Sequence, residues 1–299
     1  MLEEHLIIVR GGGDLATGTI HRLWSAGFPV LVLEAERPAA IRRQVSVSEA
    51  VYDGETVVEE MRAVRIADWK EAEQVITGGK VPVLADPKGR SIEKLHPAAV
   101  VDGILAKKNL GTGKEMAPLT IALGPGFEAG VDVDYVIETM RGHNLGRIIR
   151  AGSALPDTGI PGNVGGYTSE RVIHAEESGI FKNIRRIADV VEEKDLIGEI
   201  LREDGSTVPV RASIGGILRG LLREGYPVRK GFKIADIDPR KGELENCFTI
   251  SDKARCIGGS VLELCVAAET KRQKKGLPAV RSGQENCQAG RWEYQEYGR

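Results

Sequence analysis

Residues 5–38 read HLIIVRGGGDLATGTIHRLWSAGFPVLVLEAERP, and the reading of this stretch decides the fold expected for the N-terminal half. A short apolar run, Leu6–Val9, meets three consecutive glycines. A helix-like segment follows, and then a second apolar run, Val30–Leu33. Gly11, Gly13 and Ala16 fit the G-x-G-x-x-A spacing of a dinucleotide-binding turn, where glycines let backbone N–H groups approach a pyrophosphate at a helix N-terminus. Glu34 ends the second run, near the spacing at which a carboxylate accepts a ribose hydroxyl. The expected cofactor-binding residues are therefore Gly11, Gly12, Gly13, Asp14 and Glu34. Two features oppose this reading. Asp14 would stabilise the helix dipole but repel a phosphate, and Gly18 loosens the first helix without an evident reason. Glu34 favours NAD, and Arg37 close by leaves NADP open.

Further apolar runs at Val81–Ala85, Ala99–Ala106, Leu119–Leu123 and Tyr135–Thr139, with another near Ile148, alternate with helix-like segments. Several are continuous rather than alternating, as in strands covered on both faces. The fold class expected is α/β: a Rossmann-like parallel-sheet domain over residues 1–150, then a β-rich barrel-sandwich module of the biotinyl/lipoyl kind.

The second module rests on a repeat. Ala175 aligns with Ala212, Gly179 with Gly216, Ile180 with Ile217, Val191 with Val228, Ile197 with Ile234 and Ile200 with Ile237, all at an offset of 37 without a gap. A unit used twice in this way buries its apolar face against its own copy. The organisation expected is a Gly/Pro-rich linker or lid over 151–170, the module over 171–240, a helix over 241–268 with Ser251 or Asp252 as N-cap, and a mobile tail over 269–299. The hairpin expected at Asp204-Gly205 has no lysine, so covalent biotin or lipoate is not expected.

With 299 residues, 41% hydrophobic, 28% charged and a net charge of −2, the chain reads as an ordinary globular protein with no basic field for nucleic acid. No run approaches a membrane span. The acidic start MLEEH lacks a secretion signal, so a cytoplasmic protein is expected. Cys247, Cys256, Cys265 and Cys287 form no metal-binding spacing, and no metal is expected. Cys256 and Cys265 read as small buried hydrophobes.

Ligands of wound sheets sit beyond the carboxyl ends of strands. Four segments reach that rim: Asp86 with Lys88; Lys107, Lys108 and Asn109; the glycine loop holding Gly124 and Gly126; and Arg141, His143, Asn144 and Arg147. Gly124 and Gly126 join the candidate cofactor-binding residues. His143 sits between glycines where it can move a proton or, with Arg141, bind an anion. Asp102 interrupts an apolar strand, which is costly unless the carboxylate is hydrogen-bonded. The catalytic candidates are thus His143, Asp102 and Arg141. No Ser-His-Asp order, Walker A loop or HExxH occurs.

The segments VRGGGDLATG (9–18), RRQVSVSEAVYDG (42–54), VVDGILAKKNLGT (100–112), ALGPGFEAGVDVDYVIETMRGHNLGRII (122–149), GIPGNVGGYTSERV (159–172), GFKIADIDPR (231–240) and ISDKARCIGGSVLE (250–263) resemble the YqeB-type accessory proteins of selenium-dependent molybdenum hydroxylases. The glycine turn is also similar, more distantly, to the Rossmann part of XdhC/CoxI-type maturation factors. The resemblance implies a factor that matures a molybdenum hydroxylase through cofactor handling or selenium insertion. It implies NAD(P) or a molybdopterin dinucleotide as ligand, and the client enzyme and other maturation factors as partners. An NAD(P)-dependent oxidoreductase and a ligand-free scaffold are the alternatives, and a homo-oligomer is left open.

Overall fold

The computed structural model describes residues 5–276. The N-terminal half contributes β1 (Ile7–Arg10), α1 (Asp14–Ser25), β2 (Val30–Glu34), α2 (Ala50–Asp53), β3 (Glu55–Val58), β4 (Met61–Ile66), α3 (Ala72–Thr77), β5 (Val81–Ala85), α4 (Ile92–Leu95), β6 (Ala99–Asp102), β7 (Thr120–Leu123), β8 (Glu128–Ala129), β9 (Tyr135–Ile137), β10 (Ile148–Ile149) and β11 (Gly152–Ser153). Nine of these strands form one sheet, ordered β10-β9-β7-β6-β1-β2-β5-β4-β3. Its interior pairs are parallel. Both of its edges, β3 on β4 and β10 on β9, are antiparallel.

This corrects the expected Rossmann-like parallel domain: the sheet is mixed, and its connections are not uniformly helical. Between β6 and β7 the chain makes only a single 3-10 turn at Lys114–Met116, and between β7 and β9 it makes the short strand β8. Gly111, Gly113, Gly124, Pro125 and Gly126 stand in those connections, where glycine and proline oppose helix.

The following residues form β12 (Val172–His174), β13 (Gly179–Asn183), β14 (Val190–Val191), β15 (Leu196–Leu201), β16 (Thr207–Arg211), β17 (Gly216–Leu221), β18 (Pro227–Val228) and β19 (Lys233–Asp238). They make two separate four-stranded antiparallel sheets, β12-β19-β17-β14 and β16-β15-β13-β18. The expected biotinyl/lipoyl-like barrel-sandwich is corrected to this pair of sheets. Each draws strands from both copies of the repeated sequence, and the ladders are interrupted at Ile173/His174, Leu196/Gly198 and Leu218/Gly220. Gly179 and Gly216, aligned in the repeat, serve equivalent purposes: a Cβ on either would run into a backbone carbonyl, of Leu201 or of Asp238.

The chain then returns to the first sheet as α5 (Asp252–Gly276). Ser251 begins it, its hydroxyl accepting from Ala254 N at 3.2 Å. Ala254, Ile257, Val261, Leu264 and Cys265 of α5 share one buried cluster with Ile7, Val9, Ala16, Ile20 and Leu23. Each large aliphatic side chain buried this way stabilises by about 1.5–3 kcal/mol. The crossing is close because glycines meet there. A Cβ on Gly18 would lie 2.6 Å from Ala254 Cβ, and one on Gly258 would lie 2.6 Å from Gly18 O. Gly18 thus has its reason in a helix contact 236 residues away in sequence, at Ala254. Residues 277–299, with Cys287, Trp292, Tyr294 and Tyr297, lie outside the described residues.

Candidate functional site: a basic cleft at the first turn of α1

The glycine turn leaves β1 with Gly11 at φ +95°, a conformation favourable only to glycine, and a Cβ there would lie 2.9 Å from Gly103 O. At Gly12 a Cβ would press on Ser48 N at 3.0 Å, while at Gly13, the N-cap of α1, nothing lies within 4 Å. The turn is clamped from behind. Thr17 Oγ1 donates toward the carbonyls of Gly12 and Gly13, and Ser48 N donates to Gly12 O at 2.9 Å. Glu34 reaches into the turn itself: Oε2 accepts Gly12 N and Oε1 accepts Ala35 N, both at 2.6 Å. Burial raises the Glu34 pKa, and these two N–H donors only partly oppose it. The carboxylate expected on a ribose is engaged by its own backbone.

Asp14 opens α1, and Arg42 Nη1 lies 3.6 Å from its carboxylate. The charge that argued against phosphate binding therefore has a counter-ion. Asp14 and Leu15 form one wall of a cleft of about 1440 Å³. The start of α5, the loop 155–165 and the sheet carrying β12, β17 and β19 form the others. Nine Lys or Arg side chains line it against five Asp or Glu, so its field favours an anion.

Much of this charge is internally matched. Arg171 and Arg219 hold the buried Asp236, the latter at 2.5 Å, and Arg219 and Arg240 hold the buried Asp238 at 3.3 and 2.8 Å. Arg141 pairs twice with Asp252, at 2.9 Å each. This raises the pKa of Arg141 and pulls Asp252 down to about 2. Lys107 pairs with Asp157 at 2.6 Å.

Among the described residues, three cations lining the cleft lack a carboxylate partner: Lys233, Lys253 and Arg255, the last donating to Ile250 O. No described carboxylate lies within ion-pair distance of Lys233 or Lys253, and loss of hydration lowers the pKa of both. For Lys253 the neighbouring Arg141 adds to the shift. The Arg42 side chain is only 10% exposed. Its Nη2 donates to Asn246 O at 2.7 Å, but its buried Nε has no partner. A buried donor left unpaired costs about 1–3 kcal/mol.

Of the residues singled out in the sequence, Asp14, Lys107, Arg141, Ser251 and Asp252 line this cleft, and Pro125 between the loop glycines reaches its edge. Gly124 and Gly126 are required by packing: a Cβ would strike Thr139 Oγ1 at 2.7 Å or the Lys108 backbone at 2.6 Å. Asp102 is buried away from the cleft, accepting Thr112 Oγ1 at 2.5 Å and Ile104 N at 3.1 Å, with Arg10 Nη1 3.9 Å away. Burial raises its pKa. His143 is exposed outside the cleft lining, and no hydrogen bond or ion pair joins it to another described residue. Cys265 is buried as expected, whereas Cys256 is exposed, its thiol 3.5 Å from Leu145 O. Arg42, Arg171, Arg219, Lys233 and Lys253 were missed as site residues. The available signal was KIADID of β19, where two aspartates inside a strand demand cations nearby.

No protein-family model matches the chain. Over 260 residues, 87% of this chain, it is 48% identical to the uncharacterized protein YqeB of Escherichia coli K12. Most of the chain is thus similar to YqeB. It spans 47% of YqeB's length, about half of that protein. Among solved structures, an aspartoacylase family protein from Mesorhizobium loti is similar at 12% identity and a TM-score of 0.27, over 78% of this chain and 84% of that one. The ectoine utilization protein EutE (DoeB) from Ruegeria pomeroyi is similar at 10% identity and a TM-score of 0.26, over 77% and 85%. At such scores no site of these proteins maps onto this chain. No described helix is long and apolar enough to cross a membrane.

Proposed function

We propose that this chain is an accessory factor in the maturation of a selenium-dependent molybdenum hydroxylase, and that it binds a nucleotide-containing ligand by its phosphates in the basic cleft. Its candidate ligands are NAD and a dinucleotide form of the molybdenum cofactor. The observation that carries the reading is the convergence of Lys233, Lys253 and the buried Arg42 on one cleft beside the open first turn of α1. The N–H groups of a first helical turn and two lysines without a carboxylate partner, Lys233 and Lys253, together favour a phosphate. The maturation role rests on the resemblance carried by the sequence motifs.

Phosphates sit in the cleft rather than on Gly12, because Glu34 already takes the Gly12 N–H. Hydride-transfer chemistry receives no support from the arrangement: Asp102 is enclosed in a structural network, and His143 does not face the cleft.

The test is calorimetric titration of the full chain with pyrophosphate, NAD, NADP, CDP and molybdopterin cytosine dinucleotide, repeated on Lys233→Ala and Lys253→Ala. Saturable binding by at least one ligand, weakened tenfold or more in both variants, is expected. Ligand at a hundredfold excess over its Kd would add about 2.7 kcal/mol to stability. Failure of every phosphate ligand to bind would overturn the reading in favour of a ligand-free scaffold.

A further inference from the structure

Away from the cleft, we infer that His21, Glu59 and Glu60 form a binding site for one divalent transition-metal ion. His21 projects from the second turn of α1, and Glu59-Glu60 form the two-residue connection between β3 and β4. Consecutive side chains on an extended chain point to opposite sides. Here Glu59 adopts φ +54°, and the chain turns so that both carboxylates converge on the same imidazole nitrogen. His21 Nε2 lies 2.9 Å from Glu60 Oε1 and 3.6 Å from Glu59 Oε2, and one ligand atom from each residue falls within 4.8 Å of the others.

Hydrogen bonding alone accounts poorly for this convergence. One ring nitrogen carries a single proton and can serve one carboxylate, leaving a second negative charge beside the first. A divalent ion resolves both problems. Donor atoms about 2.0–2.2 Å from a common ion are separated by roughly 3 to 3.5 Å, a spacing bracketed by the two distances observed. The outer oxygen of Glu59 is fixed by a hydrogen bond from Ile250 N at 2.9 Å, the kind of outer-shell support that ligating carboxylates receive. His21 is mostly buried and Glu60 mostly exposed, so the site is anchored on one side and open to entry on the other.

One imidazole and two carboxylates suit Zn²⁺ or Mn²⁺ and offer Mg²⁺ little. The bound ion would tie α1 to the β3–β4 hairpin. Through Ile250 it would also fix the segment that leads into Ser251, where α5 begins at the cleft edge.

The experiment uses the full chain without a histidine tag, stripped with EDTA and titrated separately with ZnCl₂, MnCl₂ and MgCl₂ in a calorimeter and a thermal-shift assay. One equivalent of Zn²⁺ or Mn²⁺ should bind and raise the melting midpoint, with no response to Mg²⁺. His21→Gln and Glu60→Gln should each weaken binding at least tenfold, while their midpoints in EDTA stay near that of the stripped wild type. Absence of stoichiometric Zn²⁺ or Mn²⁺ binding, or binding that survives His21→Gln, would overturn the site. Neither outcome depends on whether the cleft takes a phosphate ligand.

Discussion

Glu34 Oε2 accepts the Gly12 N–H at 2.6 Å, so the carboxylate ending β2 closes the turn that ends β1. Glu34→Gln keeps one acceptor and loses the partner of the other N–H, at a cost of about 1–2 kcal/mol that is greatest at the acid end of the range and shrinks as pH rises. Because burial raises the Glu34 pKa, the native state holds this proton more tightly than the unfolded chain. The group's contribution therefore falls as pH rises from the ordinary carboxylate range through the raised value. The substitution removes that slope. Urea melts from about pH 4.5 to 7 check it; wild-type and variant curves that stay parallel across this range would contradict the assignment.

Gly13 and Gly18 lie five positions apart at the start of α1 and differ in tolerance. Gly18→Ala places a methyl group 2.6 Å from Ala254 Cβ and should cost about 1–3 kcal/mol by forcing α5 off α1. Gly13→Ala meets open space at φ −68° and should change stability by less than about 0.5 kcal/mol. Denaturation midpoints of the two variants decide the point, and equal midpoints would refute the close crossing.

Asp252 competes for Arg141 with any anion in the cleft. Asp252→Asn should therefore tighten pyrophosphate binding several-fold, with the gain shrinking as salt is raised. Both partners are well exposed, so the pair contributes less than about 1 kcal/mol to stability. That contribution is present above the usual Asp range and is lost as pH falls through about 2. Titrations at two ionic strengths would show it; unchanged affinity would mean that Arg141 does not face the ligand.

Thr112, in the loop between β6 and β7, joins Arg10 at the end of β1 to Asp102 at the end of β6. Thr112→Val leaves both charged groups short of a partner and should cost about 1–3 kcal/mol. Asp102→Asn should lower the urea midpoint as well. If it left stability untouched while abolishing ligand binding, Asp102 would belong to the site after all.

The interior strands were legible because continuous apolar runs such as Ile7–Val9 and Val81–Leu84 are buried on both faces. The mixed character of the sheet was not read. In Glu55–Ile66 the buried positions Val58, Met61, Ala63 and Ile66 alternate only loosely with exposed ones, so the edge hairpin stayed hidden. The strand starts at 179, 190 and 196 return at 216, 227 and 233, an offset visible in the sequence. Which strand hydrogen-bonds to which is a long-range matter that the offset does not state.

At the site, Asp14 and Arg141 were found through turn and loop chemistry. Arg42, Lys233 and Lys253 escaped because they come from separate elements and acquire meaning only when those elements meet. Glu34 was placed correctly at the strand end, but its partner turned out to be the Gly12 amide.

Because Ile257, Val261 and Leu264 complete the cluster begun by Ile7, Val9 and Ile20, the first layer cannot be sealed until nearly the whole described chain exists. On a ribosome the sheet strands would emerge long before α5, leaving the apolar flank of α1 uncovered through the synthesis of two intervening sheets. Such delayed closure slows folding and lengthens exposure to aggregation. Nascent chains of this protein should therefore depend on holdase chaperones up to the release of α5, and gain protease resistance late and in one step.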